Sequence, residues 1–207
     1  MRFAFTMIVL GGVFGFMAVQ DARLNSTCKD EPQSITCAEL SENGPGDNAH
    51  VVMNEFLLCD FSFVYQEGRD GSWTKVWVPA VPLGGEYHRK LLDSLDENGR
   101  MNGPIPHPTD LKVLVKSKSA RGEADVSALA ELDSIQGLVI NEIEGLKGEE
   151  RRMLVQSYPG IDFDECWLLE VDREPASMAK VAGFGGGGAA LIALGLFLLV
   201  RGRQSAA

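Results

Sequence analysis

Residues 181–200 read VAGFGGGGAALIALGLFLLV, a stretch without one ionisable side chain. A helix crosses the hydrocarbon layer with about 20 apolar residues, at about 1.5 Å of rise each. A second stretch, FAFTMIVLGGVFGFMAV over 3–19, meets the lower limit of about 17. The sequence is therefore read as one middle segment held between two membrane spans. The fold class that follows is α+β: a single β-rich extracytoplasmic domain with short helices, flanked by an N-terminal and a C-terminal transmembrane helix. The boundaries read as an anchor over 1–20, a juxtamembrane linker over 21–48, the extracytoplasmic domain over 49–175, a transmembrane helix over 181–201 and a cytoplasmic tail over 202–207.

Positive charge sets the orientation. Arg2 precedes the first stretch and Arg201 and Arg203 follow the second, and short flanks rich in Arg and Lys stay cytoplasmic. Both termini are expected in the cytoplasm, with Gln20 to Lys180 in the periplasm, the extracellular space or a lumen. A cleaved signal peptide is the rival reading of the first stretch. Cleavage wants small residues at the last and third-last positions before the cut. Cutting after Ala18 puts Phe16 at the second of these, and cutting after Ala22 puts Gln20 there. An uncleaved anchor is favoured.

Glycines mark where the spans meet. Gly11 and Gly15 form G-x-x-x-G in the first, and Gly183 and Gly187 form another in the second. Small residues four apart let helix backbones approach closely in lipid. The expectation is an antiparallel pair through these four glycines; the alternatives are self-association between chains and glycines that are simply frequent in membrane helices.

About 160 residues lie between the spans, with 16 basic residues against 29 acidic ones, a formal charge of −13. So acidic a surface repels nucleic acid and anionic headgroups, which removes nucleic acid as a partner. Cys28, Cys37, Cys59 and Cys166 all fall in this exported segment. An even count in an oxidising compartment allows two disulfides in three connectivities. Cys28 with Cys37 would close a small polar loop, and Cys59 with Cys166 would join early and late strands. Buried thiols are the alternative. No C-x-x-C occurs, and Asn25-Ser26-Thr27 is a glycosylation sequon from which nothing is drawn.

Along the domain, His50 to Tyr65 (HVVMNEFLLCDFSFVY) alternates as one long strand or two with a break near Asp60. Glu67 to Gly71 is turn chemistry, and Trp73 to Val78 completes a hairpin that Pro79 and Pro82 are expected to end. Trp73 and Trp77 fall on one strand face, with Lys75 between them. Tyr87 to Leu95 reads as an amphipathic helix, Leu111 to Val115 as a half-exposed strand with Lys112 and Lys116 outward, and Glu123 to Ile135 as a helix. A strand over Leu138 to Ile143, a helix over Gly148 to Ser157 and a strand over Cys166 to Val171 follow. This alternation allows a parallel strand pairing.

Signatures of common chemistries are missing: no G-x-S-x-G, no H-E-x-x-H, no G-x-x-x-x-G-K-[ST] and no dinucleotide fingerprint after a strand. No catalytic residue, metal site or cofactor is therefore assigned. His50, His88 and His107 are dispersed, and only the fold could gather them into a metal site. Asp162, Asp164 and Glu165 form an acidic turn, but Cys166 and Trp167 stand where a calcium loop needs an oxygen ligand and a glycine.

The plan of two terminal spans around a β-rich external domain is similar in outline to that of the assembly factors of respiratory oxidases. The expectation is a non-enzymatic, double-anchored membrane protein. Its partners are the lipid bilayer and other membrane proteins, and its acidic domain acts as scaffold, assembly factor or accessory subunit of a membrane complex. The alternative is a membrane-anchored enzyme acting on envelope or lipid-linked substrates, with the three histidines as its acid–base candidates.

Overall fold

The computed structural model describes residues 2–98, 100–109, 111–141 and 145–204. They fall into two compact units, Met1–Cys28 with Pro175–Ala207, and Lys29–Glu174. In the first unit, α1 (Arg2–Ser26) and α6 (Met178–Gln204) carry the two apolar stretches. Both are long and apolar enough to cross a membrane, over Phe3–Arg23 and Met178–Arg201. They run antiparallel: Ala18 meets Gly185, while Ala4 and Ile8 meet Gly195.

The buried positions of this hairpin repeat every seven residues, at Ala4, Gly11 and Ala18 on α1 and at Gly188 and Gly195 on α6. A strict seven-residue repeat keeps two helices in contact along a left-handed seam. Small side chains on that seam bring the backbones together. The large side chains point the other way: Phe3, Phe5, Phe16, Leu194, Phe197 and Val200 are exposed. Phe14 stacks on Phe184 at 5.8 Å and Asp21 pairs with Lys180 at 3.5 Å, so the Cys28-side end is tied by a ring pair and an ion pair. Asn25 Nδ2 donates to the Ala176 carbonyl, which commits the sequon amide to the hairpin.

The second unit is built on an eight-stranded, mostly barrel-like sheet. Its strands are β1 (Gln33–Thr36), β2 (His50–Asn54), β3 (Phe56–Leu58), β4 (Val64–Glu67), β5 (Trp73–Pro82), β6 (Val113–Ser117), β7 (Ser134–Val139) and β8 (Trp167–Val171). They lie in the order β1-β2-β7-β8-β6-β5-β3, with β4 also on β5. β1–β2 and β6–β8 are parallel and the other pairs antiparallel. Four short helices complete the unit: α2 (Cys37–Asn43), α3 (Glu86–Asp93), α4 (Glu123–Ala130) and α5 (Gly148–Ser157).

Several elements differ from the sequence reading, each for a local reason. The stretch 21–48 is structured: α1 continues to Ser26, β1 pairs with β2, and α2 follows. Thr36 and Glu39, which read as polar linker, form a capping box in which Glu39 N donates to Thr36 Oγ1 at 3.1 Å and Thr36 N to Glu39 at 2.9 Å. Gly44 ends α2 at φ 71°, and the Trp167 ring occupies the space a Cβ there would need. His50 to Tyr65 divides into three strands rather than one or two, because Glu55 turns the chain at φ 52° and residues 59–63 leave the ladder.

β5 runs through Pro79 instead of stopping there. On one side its partner changes from β4, opposite 73–77, to β3, opposite 80–82, so Pro79 sits at the junction. Its carbonyl accepts from Cys59 N at 2.9 Å. β6 is buried along its whole length, Lys116 included, because the charge has partners inside. The helix expected to reach Ile135 stops at Ala130, and Ile135 lies within β7. The predicted strand end at Glu142 and Ile143 lies outside the described residues, as does the tail beyond Gln204. The β4–β5 hairpin, α5 and β8 follow the sequence reading closely.

Candidate functional site

One row of cross-strand neighbours crosses six strands: His50, Leu138, Glu170, Lys116, Trp77 and Val64. All six are buried, with Lys116 1% and Glu170 5% exposed. Successive cross-strand partners share a face of the sheet, so the register itself brings a histidine, a carboxylate, an ammonium and an indole into line. Glu170 is the centre of charge. It holds Lys116 at 3.6 Å, Lys118 at 2.6 Å and Arg173 at 3.1 Å.

A second ion pair lies close by. Glu150, in the first turn of α5, takes Lys75 of β5 at 2.5 Å. Burial alone would raise the Glu150 carboxyl; the Lys75 ammonium, the Lys147 N–H and the Lys116 charge outweigh it and hold the group below the usual carboxylate range. Lys116 therefore sits under the influence of both carboxylates. The paired charges tie β5, β6, β8 and α5 together. Trp77 Nε1, next along the row, is buried without a hydrogen-bond partner among the described residues.

A cavity of about 170 Å³ opens between Leu114, Phe163, Cys166 and Leu168, with Asn141, Arg151 and Asp164 at its polar side. Its polar groups are used by the fold. Asn141 Nδ2 donates to the Cys166 carbonyl and Asn141 Oδ1 accepts from Leu168 N, each at 2.6 Å. Arg151 pairs with Asp164, and Cys166 Sγ donates to the Leu111 carbonyl at 3.1 Å.

The sequence candidates fall in separate places. His50 Nε2 lies 3.2 Å from Gln136 Nε2 and its Nδ1 3.3 Å from the Lys29 carbonyl. Because the amide nitrogen of Gln136 can only donate, Nε2 accepts and Nδ1 carries the proton to Lys29. His88 Nδ1 accepts from Gly84 N at 2.9 Å, a turn ahead of α3. His107 is exposed in the proline-rich loop before β6. No two of them are brought onto a common partner, and among the described residues no group of three or more His, Cys, Asp or Glu is arranged to hold a metal. In the acidic turn, Asp162 accepts from Asp164 N at 2.9 Å and Glu165 pairs with Lys112 at 2.5 Å.

Cys28, Cys37, Cys59 and Cys166 are thiols, with no disulfide among them. Burial pushes Cys37 and Cys59 up to about 12, and Cys166 up to about 11. Cys59 is packed with Val81 and Tyr87, and the Tyr87 hydroxyl donates to the Pro106 carbonyl at 2.8 Å, which pins that loop to the core.

On the helical hairpin the glycines divide. A Cβ on Gly11 would meet Gly188 O at 2.6 Å, and one on Gly188 would meet Gly11 O at 2.8 Å and Gly15 N at 3.0 Å. Gly183 and Gly187 have nothing within 4 Å of that position. The close approach is thus made by Gly11 and Gly188, one residue beyond the motif glycine Gly187; the Gly15 backbone lies beside Gly188, but a Cβ on Gly15 itself would also meet nothing within 4 Å. Trp73 and Trp77 also part: Trp77 is opposite Val64, whereas Trp73 stacks on Tyr65, the next residue along, because the register shifts at Gln66/Glu67.

Comparison with protein-family models, with curated proteins and with solved structures finds no match to this chain. The row around Glu170 was not picked out from the sequence, yet it has a signal there. Lys116 in VLVKS and Glu170 in WLLEV are single opposite charges in mostly apolar strands.

Proposed function

We propose that the chain is a double-anchored membrane protein whose α+β domain stands outside the cytoplasm and serves as scaffold, assembly factor or accessory subunit of a membrane complex. One observation carries the reading: the helical hairpin turns Ala4, Gly11, Ala18, Gly188 and Gly195 inward and Phe3, Phe5, Phe16, Leu194 and Phe197 outward. A water-soluble protein rarely exposes so continuous an apolar surface, while lipid accepts it. The flanking Arg2, Arg201 and Arg203 support cytoplasmic termini, and the buried ion pairs of the domain support a module that binds as a folded unit.

The topology test uses a reporter active only in the cytoplasm. Fused after Ala207 it gives signal and inserted at Asn98 it does not; the reverse pattern refutes the orientation. For the role itself, native electrophoresis of membranes lacking the chain shows a mature complex lost and restored by the full-length protein. Unchanged complexes refute it.

A further inference from the structure

We infer that the end of the sheet from which the chain leaves for α6 rests on the lipid surface, through an apolar rim formed by Tyr65, Trp73 and Leu132. The inference rests on α6 being a membrane span.

Chain length brings this end to the bilayer. Asp172, just past β8, is still held to the sheet, its N donating to the Gln136 carbonyl at 3.0 Å. α6 begins at Met178, and the four Cα steps from Glu174 to Met178 reach at most about 14 Å. The register then places the aromatic residues. Lys116 lies opposite Glu170 and Val76 opposite Ser117, so Trp73, at the start of β5, belongs to the end where β8 finishes. β5 is two strands from β8, roughly 10 Å at the usual strand spacing.

Beside the exposed, charged turn over 67–72, large apolar side chains also stand at this end. The bulge at Gln66/Glu67 sets Trp73 on the Tyr65 side, where the rings stack at 4.2 Å and 18°, with Phe63 at 5.3 Å from Trp73. Tyr65 is 39% and Leu132 47% exposed. Leu132 lies between α4 and the start of β7 at the same end, beside a groove lined by Ala128, Leu129 and Ser119. Arg121 fixes the rim, its Nη1 donating to the Trp73, Lys118 and Ala120 carbonyls at 3.1, 2.8 and 3.2 Å.

The composition selects the occupant. Tyrosine and tryptophan favour the level of lipid headgroups, where an apolar ring and a polar edge are both satisfied. The domain as a whole is strongly acidic, but around the exit Lys118, Arg121 and Arg173 balance Glu170, Asp172 and Glu174, so the exit itself carries no excess of negative charge to oppose a lipid surface.

The full chain is reconstituted into phosphatidylcholine vesicles, either plain or brominated on the acyl chains close to the glycerol backbone, and tryptophan emission is compared. Bromine quenches on contact, so emission falls in brominated vesicles, and the fall is lost in Trp73→Phe. Tyr65→Glu with Leu132→Glu, both exposed positions that should leave the fold intact by circular dichroism, also abolishes it. Equal quenching in the parent and in Trp73→Phe, or none in either, overturns the inference and leaves the rim to a protein partner. Flotation of the vesicles separates the two readings. Protein that floats without Trp73 quenching sinks this inference alone, and protein that does not float sinks the membrane reading with it.

Discussion

Substituting Gly188 by leucine should open the helical hairpin, and substituting its neighbour Gly187 should not. Even an alanine Cβ at 188 would stand 2.8 Å from Gly11 O, 3.0 Å from Gly15 N and 3.4 Å from Phe14 Cβ. Two of these are backbone atoms that no rotamer change can move. Restoring ordinary contact requires the helices to part by roughly 0.5–1 Å, which forfeits a quarter to a half of the dispersion energy between facing atoms. Overpacking of this kind costs about 1–3 kcal/mol, and leucine falls at the upper end. At Gly187 the same side chain meets nothing within 4 Å. A cysteine pair at Ala18 and Gly185 reports the outcome, since a Cβ at 185 would lie 3.7 Å from Ala18 Cβ, inside the disulfide range of about 3.5–4.5 Å. At about tenfold per 1.4 kcal/mol, crosslinking within one chain should fall severalfold to a hundredfold in Gly188→Leu and stay at the parent level in Gly187→Leu. Equal crosslinking in the two variants would refute the seam.

Replacing Lys75 by methionine strands Glu150 and should cost about 2 kcal/mol or more in urea unfolding at neutral pH. Because the Glu150 carboxyl is lowered on folding, its contribution is complete above the usual value of 4.5 and disappears as pH drops through the lowered one. The parent and Lys75→Met should therefore converge in strongly acidic buffer; a constant gap would show that the charge pair is not the cause. Gly137→Ala drives a Cβ into the Glu170 carbonyl across the β7–β8 pair, and a thermal melt should register a loss of about 2 kcal/mol or more. With thiols raised to about 12 at Cys37 and Cys59 and about 11 at Cys166, iodoacetamide at mildly alkaline pH should leave these three unmodified in the folded protein and alkylate all of them in denaturant. Disulfide-linked peptides in a non-reduced digest would contradict the thiol assignment.

How far the sequence can be read depends on which interactions are local. The apolar spans, the β4–β5 turn and α5 are set by runs of neighbouring residues, and they are recognisable without the fold. The seam is harder. G-x-x-x-G pointed to Gly183 and Gly187, but the partner helix selects the seven-residue set that contains Gly188 and Gly195, because Ala4, Gly11 and Ala18 have that period. Pro79 looks like a strand breaker until its place between two changing partner strands is known. Lys116 reads as surface by alternation, and only the pairing of β6 with β8, fifty residues later in the chain, shows Glu170 waiting beside it. Thr36 and Glu39 already carried a capping-box spacing, which a reading of 21–48 by polarity passed over.

The seven-residue seam joins two helices that lie at opposite ends of the described chain, so α1 has no helical partner until the whole domain has been made. Domain folding then turns a long flexible connection into a fixed one, and the two helices meet at an effective concentration set by the short tethers at Thr27–Lys29 and Pro175–Ser177. Seam and domain become thermodynamically linked. A mutation that loosens the sheet should weaken the helical pair, and Gly188→Leu, far from any strand in sequence, should lower the unfolding midpoint of the domain.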